Sequence, residues 1–279
     1  QMLMLMLLEP GDEVIVSDPT YACYENFVRI AHGRPVRVPI VEAEGFQLDP
    51  AKVRTAITPR TRAVMVCSPA NPTGVVMRPE LMAQIAALGV PVISDEIYHG
   101  LSYGGRDHTM LEFTDNAFIL NGFSKYFAMT GWRLGYLISP LETMPAVMKL
   151  HQNIMISATD FSQVAARVAM AEAVPICETY RAEYDRRRVY LMERLAAMGL
   201  PLGYEPTGAF YAFVNVSRYT SDSIGFAMQL LNETGVAMTP GADFGPGGEG
   251  YLRISYANSL ENIAKGMDQL QAFLQTLRR

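Results

Sequence analysis

Between residues 13 and 137, short apolar runs rich in β-branched side chains alternate with longer amphipathic stretches. Each run is continuous rather than alternating, which is typical of strands buried on both faces of a sheet. Since stretches of helical length separate the runs, we predict an α/β fold with a doubly wound, mostly parallel sheet. The predicted strands are residues 14–16, 36–40, 63–67, 90–93 and 118–120.

Beyond residue 139 the pattern becomes helical and then mixed. Residues 180–198 predict a long linking helix that ends at Gly199-Leu200-Pro201. A strand at residues 209–216, a helix at 221–234, a strand at 251–256 and a helix at 260–277 follow. We therefore predict two domains, a large one at residues 1–175 and a smaller α+β one at residues 176–279 that begins with the linking helix.

The composition excludes several classes of partner. Lys and Arg number 23 against 28 Asp and Glu, and no run of five like charges occurs, so we expect no nucleic-acid binding. No apolar stretch is as long as the about 20 residues that a membrane-spanning helix needs. Cys23, Cys67 and Cys177 lie far apart without a CxxC pair, which predicts reduced thiols in the cytoplasm and no metal site.

Residues 2–8 are apolar, but they are unlike a signal peptide. No basic region precedes them, and Glu9-Pro10-Gly11 stands where a cleavage site would be. An apolar run without an amphipathic face, ended by Pro-Gly, is typical of the buried end of a helix. Since the chain starts at Gln1, we predict that it is a fragment of a longer protein.

Two motif matches fail on their context. Residues 245–250 fit GxGxxG, but they contain Pro246 and precede a predicted strand, whereas a dinucleotide-binding motif opens a helix. We predict a loop there. Residues 122–126 resemble the GxSxG turn of serine hydrolases, but Tyr126 replaces the last glycine that permits the sharp turn. A serine hydrolase is therefore a weak alternative.

Polar residues follow the predicted strands, where ligands bind in sheets of this kind. Taken singly, each has an ordinary structural explanation, such as a turn, a helix cap, a solvated lysine or an ion-pair arginine. Together they suit an aldehyde cofactor with a pyridinium ring, a phenolic oxygen and a phosphate, as in pyridoxal phosphate. The residues are Asn71, Asp95, Tyr98, Ser124, Lys125 and Arg133.

In this hypothesis Lys125 supplies the amine that condenses with the aldehyde, its pKa lowered by burial and a neighbouring cation. Asp95 pairs with the pyridinium nitrogen and keeps it protonated. Tyr98 reaches the phenolic oxygen if the chain turns helically after Asp95, and the Asn71 amide is a second donor to that oxygen.

Arg133 and the Ser124 hydroxyl suit the phosphate, because a guanidinium forms two parallel charge-assisted bonds to an anion. Tyr21 is placed to stack on the ring face, although an aromatic residue in the first turn of a helix is an almost equally good explanation.

These residues lie within motifs that resemble the class I/II aminotransferases, which are pyridoxal-phosphate enzymes of fold type I. The motifs keep the family's order and spacing almost from end to end of the chain, and residues 125–133 are the sharpest match. They are Asp18-Pro19-Thr20-Tyr21, Asn71-Pro72-Thr73-Gly74, Asp95-Glu96-Ile97-Tyr98, Phe123-Ser124-Lys125, Met129-Thr130-Gly131-Trp132-Arg133-Leu134-Gly135-Tyr136 and Leu252-Arg253-Ile254-Ser255.

The resemblance implies the roles given above and adds Arg253 as the group that binds the substrate α-carboxylate. Strand alternation independently leaves Arg253 on a face with Tyr251 and Ser255, free to meet a ligand. Gly208-Ala209-Phe210-Tyr211 also resembles the family's entry to the small domain, and we interpret it as structural.

The implied activity is transfer of an amino group between an L-amino acid and a 2-oxo acid by a ping-pong Schiff-base mechanism, in a homodimer. The family usually has a longer amino-terminal part that contributes to phosphate binding. A carbon-sulfur β-lyase with the same lysine, or a truncated non-catalytic partner, are alternatives. The motifs do not identify the amino acid or the oxo acid.

Overall fold

A computed structural model of the protein describes residues 1–277 and contains a six-stranded sheet of order β2-β1-β3-β4-β5-β6. Its first five strands are parallel, and β6 runs antiparallel to β5. The strands are β1 Glu13–Asp18, β2 Arg34–Pro39, β3 Thr61–Cys67, β4 Val92–Asp95, β5 Ala117–Gly122 and β6 Gly135–Ile138. The predicted α/β class with a mostly parallel sheet is confirmed.

Helices cover both faces of this sheet, which explains the continuous apolar runs. Val14 and Val16 pack on one face with α1 (Met2–Leu7) and α2 (Cys23–Ile30). Ile15, between them in β1, packs on the other face with α3 (Pro50–Ala56) and α4 (Pro79–Ala86). Both side-chain directions of a strand are therefore buried, so no polar alternation appears in the sequence.

Three helices follow the large sheet, namely α5 Met144–Ile154, α6 Asp160–Glu172 and α7 Val174–Ala197. A second, antiparallel sheet of order β7-β9-β8 comes after them. It consists of β7 Tyr211–Asn215, β8 Thr239–Pro240 and β9 Tyr251–Ser255, and it packs with α8 Ser223–Thr234 and α9 Leu260–Thr276.

The long helix α7 begins at Val174, six residues before the predicted start at residue 180. Pro175 did not prevent this, because proline at the first helical positions removes an amide that has no intrahelical acceptor. Two strands escaped prediction: β6 opens with Gly135 and is mostly exposed, and β8 has two residues. The boundary between residues 175 and 176 lies within α7 and stays a prediction.

Strand order reverses around β1, since β2 lies on one side of it and β3 on the other. Such a reversal opens a crevice at the carboxyl ends of the strands, where α/β proteins bind ligands. The loops after β1, β3, β4 and β5 meet at this edge, and β9 of the second sheet faces them, since Arg253 contacts Asn71. The candidate site therefore lies between the two sheets.

Candidate active site

Lys125 lies three residues beyond the end of β5, and its side chain is half-buried. The amine nitrogen lies 5.7 Å from the ring centre of Tyr98 and 5.9 Å from that of Phe210. Burial lowers the pKa of Lys125, and the charges of Arg133 and Arg253 lower it further, whereas Asp95 opposes them. The neutral, nucleophilic form of the amine is therefore more populated in this site than it would be for a lysine in water.

Asp95 is the last residue of β4, and its carboxylate is held by two donors. The Tyr24 hydroxyl donates to Oδ2 at 2.6 Å, and the Ile97 amide donates to Oδ1 at 3.1 Å. Burial nevertheless raises the pKa of Asp95. Within residues 1–277 this partly buried carboxylate has no ion-pair partner, although the charge of Lys125 acts to lower its pKa. A protonated ring nitrogen would supply one.

Tyr98 lies in a tight turn directly after Asp95, in which the His99 amide donates to the Glu96 carbonyl at 2.9 Å. Its hydroxyl lies 3.0 Å from the hydroxyl of Tyr211 on β7. Burial raises the pKa of Tyr98, so the phenol stays protonated and acts as a hydrogen-bond donor at neutral pH. The turn predicted after Asp95 is present.

Asn71 and Arg253 meet across the two sheets. Arg253 Nη1 donates to Asn71 Oδ1 at 2.8 Å, and Nη2 donates to the Thr239 hydroxyl at 3.2 Å. The guanidinium carbon lies 4.4 Å from the ring centre of Tyr211 and 4.8 Å from that of Phe244. Arg253 Nε is buried and has no hydrogen-bond partner within residues 1–277. An anionic ligand would satisfy such a donor.

The turn that carries Asn71 packs tightly on the start of the second sheet. Gly74, three residues later, has φ of +72°, and a Cβ there would lie 2.5 Å from the Tyr211 carbonyl oxygen. The Gly208 amide donates to the Gly74 carbonyl at 2.7 Å. Glycine is therefore required at this position both for its backbone conformation and for the close approach.

Ser124 and Arg133 are joined through Thr130. The Thr130 hydroxyl donates to the Ser124 carbonyl at 2.8 Å, and Arg133 Nη1 donates to the Thr130 carbonyl at 3.0 Å. Arg133 is exposed and takes a left-handed backbone conformation with φ of +53°. The structure places both residues on the segment around Lys125 but brings neither side chain into contact with the other.

Tyr21 stands between β1 and α2, two residues before the helix begins. Its ring packs edge-on against Tyr24 with centres 5.3 Å apart, and its side chain is partly exposed. A hydrogen bond with the Cys23 thiol raises the pKa of Tyr21 to about 12, and the nearby charge of Asp95 adds to this. Tyr21 therefore lies near Asp95, although the two side chains are not hydrogen-bonded within residues 1–277.

Residues 245–250 form a loop of short turns before β9, as predicted. The Gly247 amide donates to Asp18 Oδ1 at 2.9 Å, and the Thr20 amide donates to the Phe244 carbonyl at 2.9 Å. The glycine-rich segment thus connects the end of β1 to the residue that covers Arg253. No cluster of potential metal ligands occurs within residues 1–277.

The sequence pattern does not identify Tyr24, Thr239 or Phe244 as residues of the site, and it predicts a structural role for Tyr211. Tyr24 had a detectable signal, because it repeats at helical spacing after Tyr21 and precedes an apolar helix face. Thr239, Phe244 and Tyr211 have no such signal. Their contacts with Arg253 depend on the pairing of β7, β8 and β9. The contact of Tyr211 with Tyr98 joins residues more than 100 positions apart in the sequence.

The family model for aminotransferase class I and II matches residues 1–270. The chain belongs to the class I and II aminotransferases. It is 40% identical to the aspartate/prephenate aminotransferase of Thermus thermophilus, with 96% of this chain and 71% of the relative aligned. It is also 40% identical to the (5-formylfuran-3-yl)methyl phosphate transaminase of Methanocaldococcus jannaschii, with 96% and 70% aligned.

Solved structures agree with this assignment. The aspartate aminotransferase of Thermus thermophilus with maleate superposes with a TM-score of 0.92 at 39% identity, covering 97% of this chain and 72% of that one. The aromatic aminotransferase of Pyrococcus horikoshii gives a TM-score of 0.95 at 36% identity, covering 99% and 76%. The protein is a pyridoxal-phosphate-dependent aminotransferase, and the resemblance seen in the sequence is confirmed.

Proposed function

We propose that Lys125, Asp95, Tyr98 and Arg253 carry the amino-group transfer of this aminotransferase. The observation that supports this assignment is the convergence, in one crevice, of a half-buried lysine and two groups that need partners. Within residues 1–277, Asp95 is a partly buried carboxylate without an ion pair, and Arg253 Nε is a buried donor without an acceptor. A ligand with a ring cation and a carboxylate would satisfy both.

The residues present fit pyridoxal phosphate. Asp95 would hold the pyridine nitrogen, while Tyr98 and Asn71 would donate to the phenolic oxygen. Ser124 and Arg133 would bind the phosphate, and Tyr21 would cover one ring face. When bound, the cofactor supplies an aldehyde that joins to amines and a ring that accepts the electron pair released by the substrate carbon.

Lys125 has two tasks in this proposal. Its neutral amine would hold the cofactor before substrate arrives, and once the substrate amine has replaced it, Lys125 Nζ would take the proton of the substrate α-carbon and hold it for return to the product. Both tasks need an unprotonated nitrogen, and the lowered pKa of Lys125 increases the neutral fraction. The rings of Tyr98 and Phe210 beside the amine limit the access of water.

Arg253 would bind the substrate α-carboxylate. Asn71 and Thr239 hold the Nη atoms, and the rings of Tyr211 and Phe244 pack on the guanidinium, so its plane is fixed before substrate arrives. A guanidinium fixed in this way loses little conformational entropy on binding a carboxylate. The amino acid would thus be oriented with its α-carbon toward Lys125.

The assignment of Lys125 is tested by mixing the purified chain with pyridoxal phosphate, reducing with borohydride and mapping the labelled peptide. We expect an absorption band from the bound cofactor and a label on Lys125. The Lys125→Ala variant should lose both, whereas Lys149→Ala, which removes an exposed lysine of α5, should keep both. A label that persists in a folded Lys125→Ala protein would refute the assignment.

We further propose that the chain forms a homodimer in the cytoplasm. The segment from Trp132 to the start of α7 exposes many large apolar side chains, more than a free surface normally carries. They are Trp132, Tyr136, Ile138, Leu141, Met148, Ile154, Met155, Ile156, Phe161, Val164, Val168, Met170, Val174 and Ile176. Analytical ultracentrifugation should give twice the monomer mass, and a monodisperse monomer would refute this proposal.

The cytoplasmic location is supported by the cysteines, all three of which are unpaired thiols. In addition, no helix in the described part of the chain has the length and apolar character needed to cross a bilayer. Cell fractionation with an antibody against the chain tests this location directly.

A further inference from the structure

Tyr211, the first residue of β7, contacts two residues of the proposed machinery at once. Its hydroxyl lies 3.0 Å from the Tyr98 hydroxyl, and its ring centre lies 4.4 Å from the guanidinium carbon of Arg253. The side chain is buried, with 7% of its surface exposed. It thus stands between the group proposed to bind the cofactor oxygen and the group proposed to bind the substrate carboxylate.

The pairing of the second sheet fixes this arrangement. In the antiparallel pair of β7 and β9, Phe213 lies opposite Arg253, and Tyr211 lies opposite Ser255. Residues two apart on a strand share a face, so Tyr211 and Arg253 are diagonal neighbours on one face of the sheet. Because that face is turned toward Asn71 and Tyr98 of the large sheet, the ring of Tyr211 reaches both.

Of the two possible donors in the hydrogen bond between the Tyr98 and Tyr211 hydroxyls, donation by Tyr211 suits catalysis. If Tyr98 donates its proton to the phenolic oxygen of the cofactor, as the proposed function requires, its oxygen is left to accept a proton from Tyr211. Hydrogen bonds in such a chain polarise one another, so donation from Tyr211 makes Tyr98 a stronger donor. Within residues 1–277 the Tyr211 hydroxyl has no other hydrogen-bond partner to compete for this proton.

We propose that Tyr211 is a positioning residue that links the two halves of the site, strengthening Tyr98 as a donor through its hydroxyl and fixing Arg253 through its ring. This proposal rests on the proposed function, because it needs a cofactor oxygen beside Tyr98. Tyr211 touches neither reacting atom in this account and acts only through Tyr98 and Arg253.

The hydroxyl is tested with Tyr211→Phe, loaded with pyridoxal phosphate and titrated with pH while the absorption band of the bound cofactor is followed. Donation from Tyr98 stabilises a negative phenolic oxygen and lowers the pKa of the cofactor. The variant should therefore raise that pKa by roughly 0.1 to 0.7, as a change of about 10–30% in a hydrogen bond to a charged group predicts. An unchanged or lowered cofactor pKa would overturn the role of the hydroxyl.

The ring is tested by comparing Tyr211→Phe with Tyr211→Leu, using the amino donor that the unaltered enzyme processes fastest. Phenylalanine keeps a ring over Arg253, so KM should stay close to that of the unaltered enzyme. Leucine removes the ring, and KM should rise about 2- to 5-fold, in line with a partly exposed cation–π contact. Equal KM values for the two variants would overturn the role of the ring.

A matched control is Tyr256→Phe, which removes a buried hydroxyl that contacts the Ala209 carbonyl, at 3.4 Å, and the Tyr103 side chain, neither of which belongs to the proposed machinery. It should change thermal stability without changing the cofactor pKa, as any purely structural tyrosine would. If the unaltered protein binds no cofactor through Lys125, the proposed function fails and the role of Tyr211 fails with it. If it binds cofactor and Tyr211→Phe titrates identically, only the role of Tyr211 is refuted.

Discussion

Replacing Gly74 with alanine should destabilise the protein far more than an ordinary glycine substitution, and it should damage the active site as well. Gly74 has φ of +72°, and the added Cβ would lie 2.5 Å from the Tyr211 carbonyl oxygen and 3.0 Å from the Gly208 carbonyl oxygen. Contacts below about 3 Å force one partner to move, and both partners here are main-chain atoms that cannot rotate away.

The cost has two parts. A non-glycine residue in the left-handed region costs about 1–2 kcal/mol. Forcing the two backbones apart adds about 1–3 kcal/mol, typical of an overpacked site, and weakens the hydrogen bond from the Gly208 amide to the Gly74 carbonyl. We therefore expect a loss of about 2–5 kcal/mol in the free energy of unfolding, or roughly 4–20 °C in Tm at about 2–4 °C per kcal/mol.

A chemical denaturation curve of each variant measures this loss, and Gly89→Ala is the matched control. Gly89 has φ of +75°, but a Cβ there would meet no atom within 4 Å. The Gly89→Ala variant should therefore lose only about 1–2 kcal/mol of unfolding free energy, which is the cost of the left-handed backbone conformation. The displaced turn carries Asn71, so Gly74→Ala should also raise KM for the amino donor. Equal stability of the two variants would refute the argument that the main chain of β7 limits this position.

Arg253→Lys should lower kcat/KM about 10- to 100-fold while the cofactor band persists, because a lysine loses at least one charge-assisted bond worth about 1.5–3 kcal/mol; unchanged kinetics would contradict the carboxylate role. Asp95→Asn should stabilise the cofactor-free chain at pH 7. Burial raises the pKa of Asp95 above its value in the unfolded chain, so the free energy of unfolding of the unaltered protein falls as pH rises from the unfolded to the folded pKa. In acid, where Asp95 is protonated, the unfolding curves of the variant and the unaltered protein should converge. Tyr24→Phe should lower the free energy of unfolding by about 1–3 kcal/mol at pH 7, since it removes the 2.6 Å donor to the Asp95 carboxylate; an unaffected unfolding curve would show that this bond contributes nothing.

The sheet could be predicted from the sequence because burial on both faces leaves a mark within each strand. Val14, Ile15 and Val16 are apolar without interruption, since helices cover both sides of β1. Strand β6 left no such mark. It lies at the sheet edge with Tyr136 and Ile138 exposed, and it opens with Gly135, a residue that sequence patterns associate with turns.

The predicted catalytic residues share one property, which is that each closely follows a predicted strand. Parallel strands bring their carboxyl ends together, so position along the chain sufficed to group Asn71, Asp95 and Lys125. The second sheet offered no such rule. Which of its residues face the first sheet depends on the register of β7 against β9, and a shift of one residue would turn Arg253 away from Asn71.

The segment at residues 208–211, for which the sequence predicts a structural role, also contains a residue of the candidate site. The main chains of Gly208 and Tyr211 lie in close contact with Gly74, and this contact has a structural role. That close contact also places the Tyr211 side chain beside Tyr98 and Arg253.

Because the contact with Gly74 positions the Tyr211 side chain, substitutions at Gly74 and at Tyr211 should have non-additive effects on the cofactor pKa. The double variant Gly74→Ala/Tyr211→Phe should raise the cofactor pKa by less than the sum of the two single effects, since the first change already displaces the hydroxyl that the second removes. Additive pKa changes would show that the Gly74 turn and the Tyr211 hydroxyl act independently.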